Sequence, residues 1–300
     1  IKKGKVMEDK IIKFLAYDGK ISVTCISSTQ MVEEARKIHD LSPLATAVVG
    51  RILTITALIG AEMKNETDNL TIQVKGNGPI GKIVAVSDNT PHVKICVTDS
   101  HVDLPLNEFD KLDVGGAVGN EGFINVIKDI GLKKPYIGIS PLMSGEIAED
   151  FANYFQTSEQ KQTAVALGVL VDKNGVRSSG GYIITPMPDA KEEEISKVEK
   201  AIFEAGAISK MLDNNLTLEE IAKKVTGDKK VRKIDASKQP QYKCECSKKR
   251  FSNGLMTLGK EQLKELITED EKAEIKCQFC NKIYNFNKEE LEEILERIGK

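Results

Sequence analysis

The sequence has no tryptophan, and aromatic residues make up only 5% of it. Platforms on which unpaired bases could stack are therefore scarce. It also lacks a surplus of charge: 43 Lys and Arg against 45 Asp and Glu leave a formal net charge of −2. Such a balance gives no general attraction to nucleic acid or to an anionic membrane. Histidine is limited to His39, His92 and His101. Only His101, between Asp99 and Asp103, has a setting that suggests a metal contact, and a loop histidine beside acids is ordinarily a surface residue. No apolar signal sequence opens the chain. Residues Ile1 to Val6, basic and ahead of Met7, read as leader sequence and are left out of the fold reading. One long apolar run exists, Leu44 to Ala61, but Arg51 sits at its middle beside Gly50. A charge at mid-bilayer costs at least ~2.5 kcal/mol, so this run is expected to be a central buried helix rather than a membrane span. Ser42 would be its N-cap and Pro43 its first helical residue.

What is present is enough to build a core. With 300 residues and 40% hydrophobic side chains, the chain can form one large domain and one or two small ones. Ile21 to Ile26 alternates like a half-buried strand, and Ser28 to Asp40 places Met31, Ala35 and Ile38 on one helical face. Strands are expected at Leu70–Lys75, Lys82–Val86 and Val93–Thr98, and a helix at Glu146–Phe155 that buries Ile147, Phe151 and Tyr154. Thr163–Val171 and Val176–Thr185 flank Asn174-Gly175, a strong hairpin signal. The expected fold class is α+β: a large N-terminal domain of antiparallel strands and helices over residues 7–185.

Pro186 and Pro188 mark a change of composition. Residues 186–240 read as a charged, helical linker with a narrow apolar stripe of Ile195, Val198, Ile202, Ile208 and Leu212. Thr217 with Glu220 makes a capping box ahead of Ile221–Val225, and Gly227 ends that helix. So narrow a stripe must dock on something, because short helices are marginal alone. Residues 241–300 form a third region, in which twelve Lys and Arg balance twelve Asp and Glu. A small hairpin and a helix from Lys288 are expected there.

That last region holds four of the six cysteines: Cys244-Glu-Cys246, then Cys277-Gln-Phe-Cys280. Clustered cysteines without a secretion signal point to a reducing compartment and to metal or redox chemistry. Two close pairs suit tetrahedral zinc, and four thiolate ligands close the coordination sphere, leaving no position for a catalytic water. Zinc's free energy would then go into folding a segment with few large apolar side chains. Zinc also keeps the sulfurs as thiolates, the form oxidants attack, and each pair supplies its own resolving thiol. Cys25 and Cys96 fall in strand-like runs and read as small buried hydrophobes. Gly76-x-Gly78-x-x-Gly81 spells a dinucleotide fingerprint, but Pro79 sits inside it and a strand follows where a phosphate cradle needs a helix, so it reads as a turn. The acidic run Glu269–Glu271 reads as a solvated turn.

The C-x-C pair with a distant C-x-x-C resembles the thirty-three-kilodalton heat-shock protein family, the redox-regulated chaperones of bacteria. The resemblance extends over nearly the whole chain: Ser42-Pro-Leu-Ala-Thr-Ala with Gly50-Arg51, Gly76 to Gly81, His101 to Asn107, Pro135-Tyr-Ile-Gly138, Gly145 to Asp150, Ser158-Glu-Gln160, and both cysteine pairs. It implies a cytoplasmic holdase that works without ATP and carries one zinc per chain on Cys244, Cys246, Cys277 and Cys280. It further implies an inactive reduced monomer. Oxidative stress would join Cys277 to Cys280 and Cys244 to Cys246, release zinc and unfold the linker. The active form, often a homodimer, would hold unfolding client proteins, with Ile195, Val198, Ile202, Ile208 and Leu212 as candidate client contacts. Neither nucleic acid nor membrane is an expected partner, and no enzymatic activity is expected. One departure stands out: Lys94-Ile-Cys96 occupies a position where the family more often has a Gly-Tyr pair. The competing readings are a zinc-ribbon adaptor for nucleic acid, for which the clustered Lys248, Lys249 and Arg250 leave a small opening, and a dithiol oxidoreductase.

Overall fold

The computed structural model describes residues 8–234 and 237–298; the expected leader lies outside them. The chain divides into two compact units between Lys243 and Cys244, so residues 186–243 fall within the first.

The first unit is built on two antiparallel sheets and one helix common to both. It opens with β1 (Lys10–Ala16), β2 (Ile21–Ser27), α1 (Thr29–His39) and α2 (Pro43–Gly60), followed by β3 (Asn69–Lys75), β4 (Lys82–Asp88) and β5 (His92–Val97). Next come α3 (Val114–Val118), β6 (Phe123–Asp129), β7 (Tyr136–Pro141), α4 (Ala148–Thr157), β8 (Ala164–Asp172) and β9 (Gly175–Pro186). Three helices follow, α5 (Glu192–Ala205), α6 (Ile208–Asp213) and α7 (Leu218–Thr226), then short strands β10 (Arg232–Lys233) and β11 (Gln241–Tyr242). One sheet runs β10-β1-β2-β9-β8 and the other β11-β5-β4-β3-β6-β7, with β11 the one strand parallel to its neighbour.

Helix α2 packs on β8, β9 and β2 of one sheet and on β3, β4 and β5 of the other. It is the expected central helix. The Ser42 hydroxyl accepts from the Ala45 amide at 3.1 Å, and Pro43 occupies the first turn, where its missing N–H costs nothing. By length and composition the helix could cross a membrane, yet 89% of it is buried inside the fold. Arg51 is accommodated because its guanidinium donates to the carbonyl of Glu146 at 2.9 Å and to the Glu146 carboxylate. Gly50 beside it lets β8 approach: a Cβ there would lie 2.7 Å from Val169 Cγ2.

Strand β2 departs from the half-buried expectation. It is an interior strand with β1 and β9 on either side, and both of its faces are covered. Val23 and Cys25 meet the α5–α7 layer, while Ile26 enters the core around α2. Helix α4 begins at Ala148, two residues later than expected, because Ile147 has a left-handed φ of 67°. The fully buried Asp150 fixes that corner by accepting from the amides of Met143, Ser144, Gly145 and Ile147. The β8–β9 hairpin forms as expected, but its loop is Lys173-Asn174, one residue earlier than the Asn-Gly pair, with Gly175 at φ 120° paired to Asp172 and a register shift at Leu170/Val171.

The helices α5–α7 lie on the outer face of the five-stranded sheet. Val198, Ile208, Leu212 and Ile221 pack with Phe14, Val23, Cys25 and Tyr182. Ile195 and Ile202 are half-buried, and Phe203 points outward with 90% of its surface exposed. Polar ties hold the layer down: Lys20 to Glu194 at 2.6 Å, Arg177 to Asp213 at 2.6 Å, and the Tyr17 hydroxyl donating to the Thr226 carbonyl at 2.8 Å. The capping box of α7 forms as read, with Thr217 Oγ1 accepting from the Glu220 amide and the Glu220 carboxylate accepting from the Thr217 amide.

The second unit is small. It comprises α8 (Lys248–Met256), α9 (Lys260–Glu269), the hairpin β12 (Lys272–Lys276) and β13 (Ile283–Asn287), and α10 (Lys288–Arg297). Its core is Leu255, Leu263, Ile267, Phe286, Leu291 and Ile294.

Candidate metal centre

The four C-terminal cysteines meet at one end of the second unit. Cys244 and Cys246 lie in extended chain ahead of α8, whose N-cap, Ser247, accepts from the Arg250 amide at 3.2 Å. Cys277 and Cys280 stand at the β12–β13 turn, which the Cys277 amide closes onto the Lys282 carbonyl at 2.9 Å. The Asn281 amide donates back to the Cys277 carbonyl at 2.9 Å, with Asn281 in the left-handed region at φ 59°. The result is a tight knuckle that aims two sulfurs the same way.

All four Sγ atoms lie within 4.8 Å of one another. Cys246 and Cys280 approach to 3.3 Å, and Cys244 and Cys277 to 3.8 Å. Sulfurs about 2.3 Å from a tetrahedral zinc are about 3.8 Å apart, so this donor set fits the ion. Cys277 is buried and the other three are half-buried. Among the described residues this is the only cluster of three or more metal-ligating side chains.

Burial pushes the Cys244 thiol up and the Cys280 thiol to about 12. Burial acts the same way on Cys246, but a hydrogen bond with Tyr284, aided by the neighbouring sulfurs, outweighs it and holds that thiol at about 7. Tyr284 was not legible as a site residue. Its hydroxyl lies 3.1 Å from Cys246 Sγ and donates to the Cys246 carbonyl at 3.0 Å, and its ring packs on Phe251 at 5.0 Å. The one available signal was a tyrosine shortly after the second pair, on a strand leading away from it. The Cys277–Cys280 pair sits in a hairpin turn between β12 and β13, not beside the βαβ unit of a dithiol oxidoreductase.

A family model described as Hsp33 protein matches residues 9–287. The chain belongs to the Hsp33 family. It is 43% identical over 292 residues to the 33 kDa chaperonin of Clostridioides difficile, covering 97% of this chain and 100% of that protein. With the 33 kDa chaperonin of Caldanaerobacter subterraneus it shares 45% identity over 291 residues, 96% of this chain and 98% of that protein. The crystal structure of the 33 kDa chaperonin from Thermotoga maritima superposes with a TM-score of 0.89 at 36% identity, covering 98% of this chain and 100% of that one. These relatives place the chain in a family of chaperones.

The remaining residues singled out in the sequence lie elsewhere. Val198, Ile208 and Leu212 are buried beneath the α5–α7 layer. The exposed His101 lies 3.1 Å from Asp40 Oδ2 through its ring, and its own amide donates to Asp99. Cys25 is buried as expected, but Cys96 is only half-buried, because β5 turns that position to the outer face of its sheet. The glycine-rich stretch is the turn between β3 and β4. There the Gly78 and Ile80 amides donate to the carbonyls of Val118 and Ala117, and a Cβ on Gly76 would lie 2.0 Å from the Val118 oxygen. These glycines admit a neighbouring backbone, and no helix follows to face a phosphate.

Proposed function

We propose that this Hsp33-family chain is a cytoplasmic, redox-switched holdase that is zinc-bound and inactive when reduced and is activated by oxidation of Cys244, Cys246, Cys277 and Cys280. The observation that carries the reading is the convergence of four sulfurs within 4.8 Å in a unit whose apolar core has six buried members among the described residues. Zinc, when bound, supplies the charge that keeps four close thiolates together and ties the two cysteine pairs to each other.

The chain's own residues then act as follows. A thiolate attacks a peroxide oxygen and becomes a sulfenic acid; its pair partner attacks that sulfur, forms the disulfide and releases water. Two thiols thus lose two electrons and two protons to one peroxide. We place the bridges at Cys277–Cys280 and Cys244–Cys246, on the family resemblance, with Cys277–Cys280 first because a two-residue spacer strains the ring less than Glu245 alone. Cross-pairing is the rival outcome, since the Cys246 and Cys280 sulfurs are only 3.3 Å apart. With the thiolates consumed, the β12–β13 knuckle and the Cys244–Cys246 segment lose their common anchor, and the small core is too slight to hold the unit. The α5–α7 layer then loosens and offers Ile195, Val198, Ile202, Ile208 and Leu212 to unfolding clients, without ATP. The reduced form is a monomer and the oxidised form a homodimer, and the partners are proteins rather than nucleic acid or membrane.

The test follows client aggregation and zinc release in parallel, comparing reduced protein with protein treated with peroxide under mild heat. Suppressed aggregation that rises with zinc release is the expected result, with disulfides mapped by peptide analysis along the time course. Equal activity in the reduced, zinc-loaded protein would overturn the switch. Early bridges from Cys246 to Cys280 would overturn the pairing.

A further inference from the structure

The five-stranded sheet changes character along its inner face. Register and alternation set rows of side chains across it. Ile11, Ile26 and Leu167 form a row that enters the main core. The next row is Lys13, Thr24 and Ile183, and the one after it Ser22, Thr185 and Thr163, where the two threonine hydroxyls lie 3.4 Å apart. These two polar rows line one side of a cleft of about 670 Å³, within the usual size range of small-molecule sites. Phe155, Lys161, Glu62, Met187 and Lys238 line it as well.

Three features of this cleft point to a ligand. Among the described residues that line it, three lysines face a single carboxylate, Glu62. Lys161 is held by Glu159 at 3.1 Å, and Lys238 donates to the carbonyls of Ala61 and Asn89 at 2.6 and 3.0 Å. Lys13, half-buried in the middle of a strand, has no carboxylate partner among the described residues. Next, Thr24 is only 6% exposed, yet neither its hydroxyl nor that of Ser22 makes a hydrogen bond to a described residue. Lys13 and Thr24, opposite each other across β1 and β2, thus present a cation and a hydroxyl to the same cleft, where one acceptor group could take from both. Finally, Phe155, Ile183 and Met187 give the same cleft an apolar portion.

We propose that this cleft binds a phosphorylated small molecule of nucleotide size, with its phosphate on Lys13, Thr24 and Ser22 and its ring against Phe155, Ile183 and Met187. A phosphate presents three acceptor oxygens and up to two charges, which matches this donor set better than a carboxylate does. Met187 precedes α5, and Lys238 follows β10, so the occupied cleft would also grip the chain on both sides of the α5–α7 segment.

The experiment is calorimetric titration of the reduced, zinc-loaded full chain with ADP, adenosine and inorganic phosphate separately. ADP is expected to bind more tightly than either fragment. Lys13→Ala should weaken it about tenfold or more, the loss of a charged hydrogen bond, and Thr24→Val severalfold. Lys248→Ala, in the other unit, should leave it unchanged. Thermal unfolding without ligand checks that each variant is folded, and if Lys13→Ala is not, the near-isosteric Thr24→Val decides. Absence of ADP binding at millimolar concentration overturns the proposal, as does equal affinity in the wild type and Thr24→Val. An equal loss in Lys248→Ala reduces the binding to general charge attraction and overturns it too.

Discussion

The two units solve the same problem with different means. In the first, α2 is buried between two sheets and a contiguous core runs from Ile11 to Tyr242; in the second, six buried apolar side chains serve a segment of nearly sixty residues. A unit this small buries a lesser share of its surface than the first does, so it depends on a further tie, which its four clustered sulfurs can supply. The α5–α7 layer is intermediate, having a real core but one that lies on a single face of one sheet. Stability graded in this way lets one part of a chain open while the rest stays folded.

The sharpest way to break this comparison is to remove one sulfur. Cys277→Ser should abolish tight zinc binding and with it a contribution on the order of 10–16 kcal/mol. Amide exchange at Leu263, Ile267 and Leu291 should then become fast while that at Leu53 and Ile72 stays slow. Retained protection of the second unit would show that its six-residue core suffices alone.

The outer layer gives the next largest effect. Replacing Ile202 and Leu212 with serine removes one half-buried and one buried apolar contact, and losses of this kind run to about 2–5 kcal/mol for a fully buried leucine. Exchange should quicken across α5–α7 alone, and some client protection should develop without oxidant. If the whole first unit loses protection together, the layer belongs to one cooperative core and the grading is wrong.

A smaller change sharpens the picture within the layer. Thr217→Ala removes the cap of α7 and should cost about 1 kcal/mol, read as faster exchange in Leu218–Thr226 with the sheet beneath unaffected. An unchanged rate would mean that packing of Ile221 and Val225 alone sets the helix's start.

These elements also show what a sequence makes plain. Ser42-Pro43, Thr217 with Glu220, Asn174-Gly175 and the two cysteine pairs were legible because each is a local arrangement, whose partners lie a few residues apart or whose spacing restricts the chemistry. Strand β2 was misjudged as half-buried because its second cover, α5–α7, comes from residues far along the chain. Cys96 was misjudged because strand polarity does not reveal which face of a sheet remains open. Tyr284 reaches Cys246 across thirty-eight residues, through a pairing that no periodicity reports. Helices α8 and α9, between the pairs, were not singled out; α8 carries Ser252, Asn253 and Gly254 in its last half, which weaken any helical signal. The family's Gly145–Asp150 stretch proved to be a buried corner around Asp150, so that motif is structural.

The smallest effect concerns the first unit's surface, where charge rather than burial acts. Glu33 of α1 accepts from Arg36 at 2.7 and 2.8 Å and from the Val176 amide at 3.0 Å, which ties α1 to the β8–β9 turn. The Arg36 hydrogen bonds lead in holding the Glu33 carboxyl down at about 2, against an ordinary 4.5. A carboxyl depressed on folding stabilises the native state fully above its unfolded value and loses that contribution as pH falls through its folded one. The window is therefore about pH 4.5 down to about 2. Because both side chains are partly exposed, screening leaves the pair worth roughly 0.2–1 kcal/mol. Glu33→Gln should accordingly lower the melting temperature of the first unit slightly at pH 7, and the gap from wild type should close progressively below pH 4.5. Comparing the two proteins at each pH cancels every titrating group they share, including the cysteines of the second unit. A deficit that stays constant down to pH 2.5 would assign the effect to lost packing against Val176 and not to the carboxylate's charge.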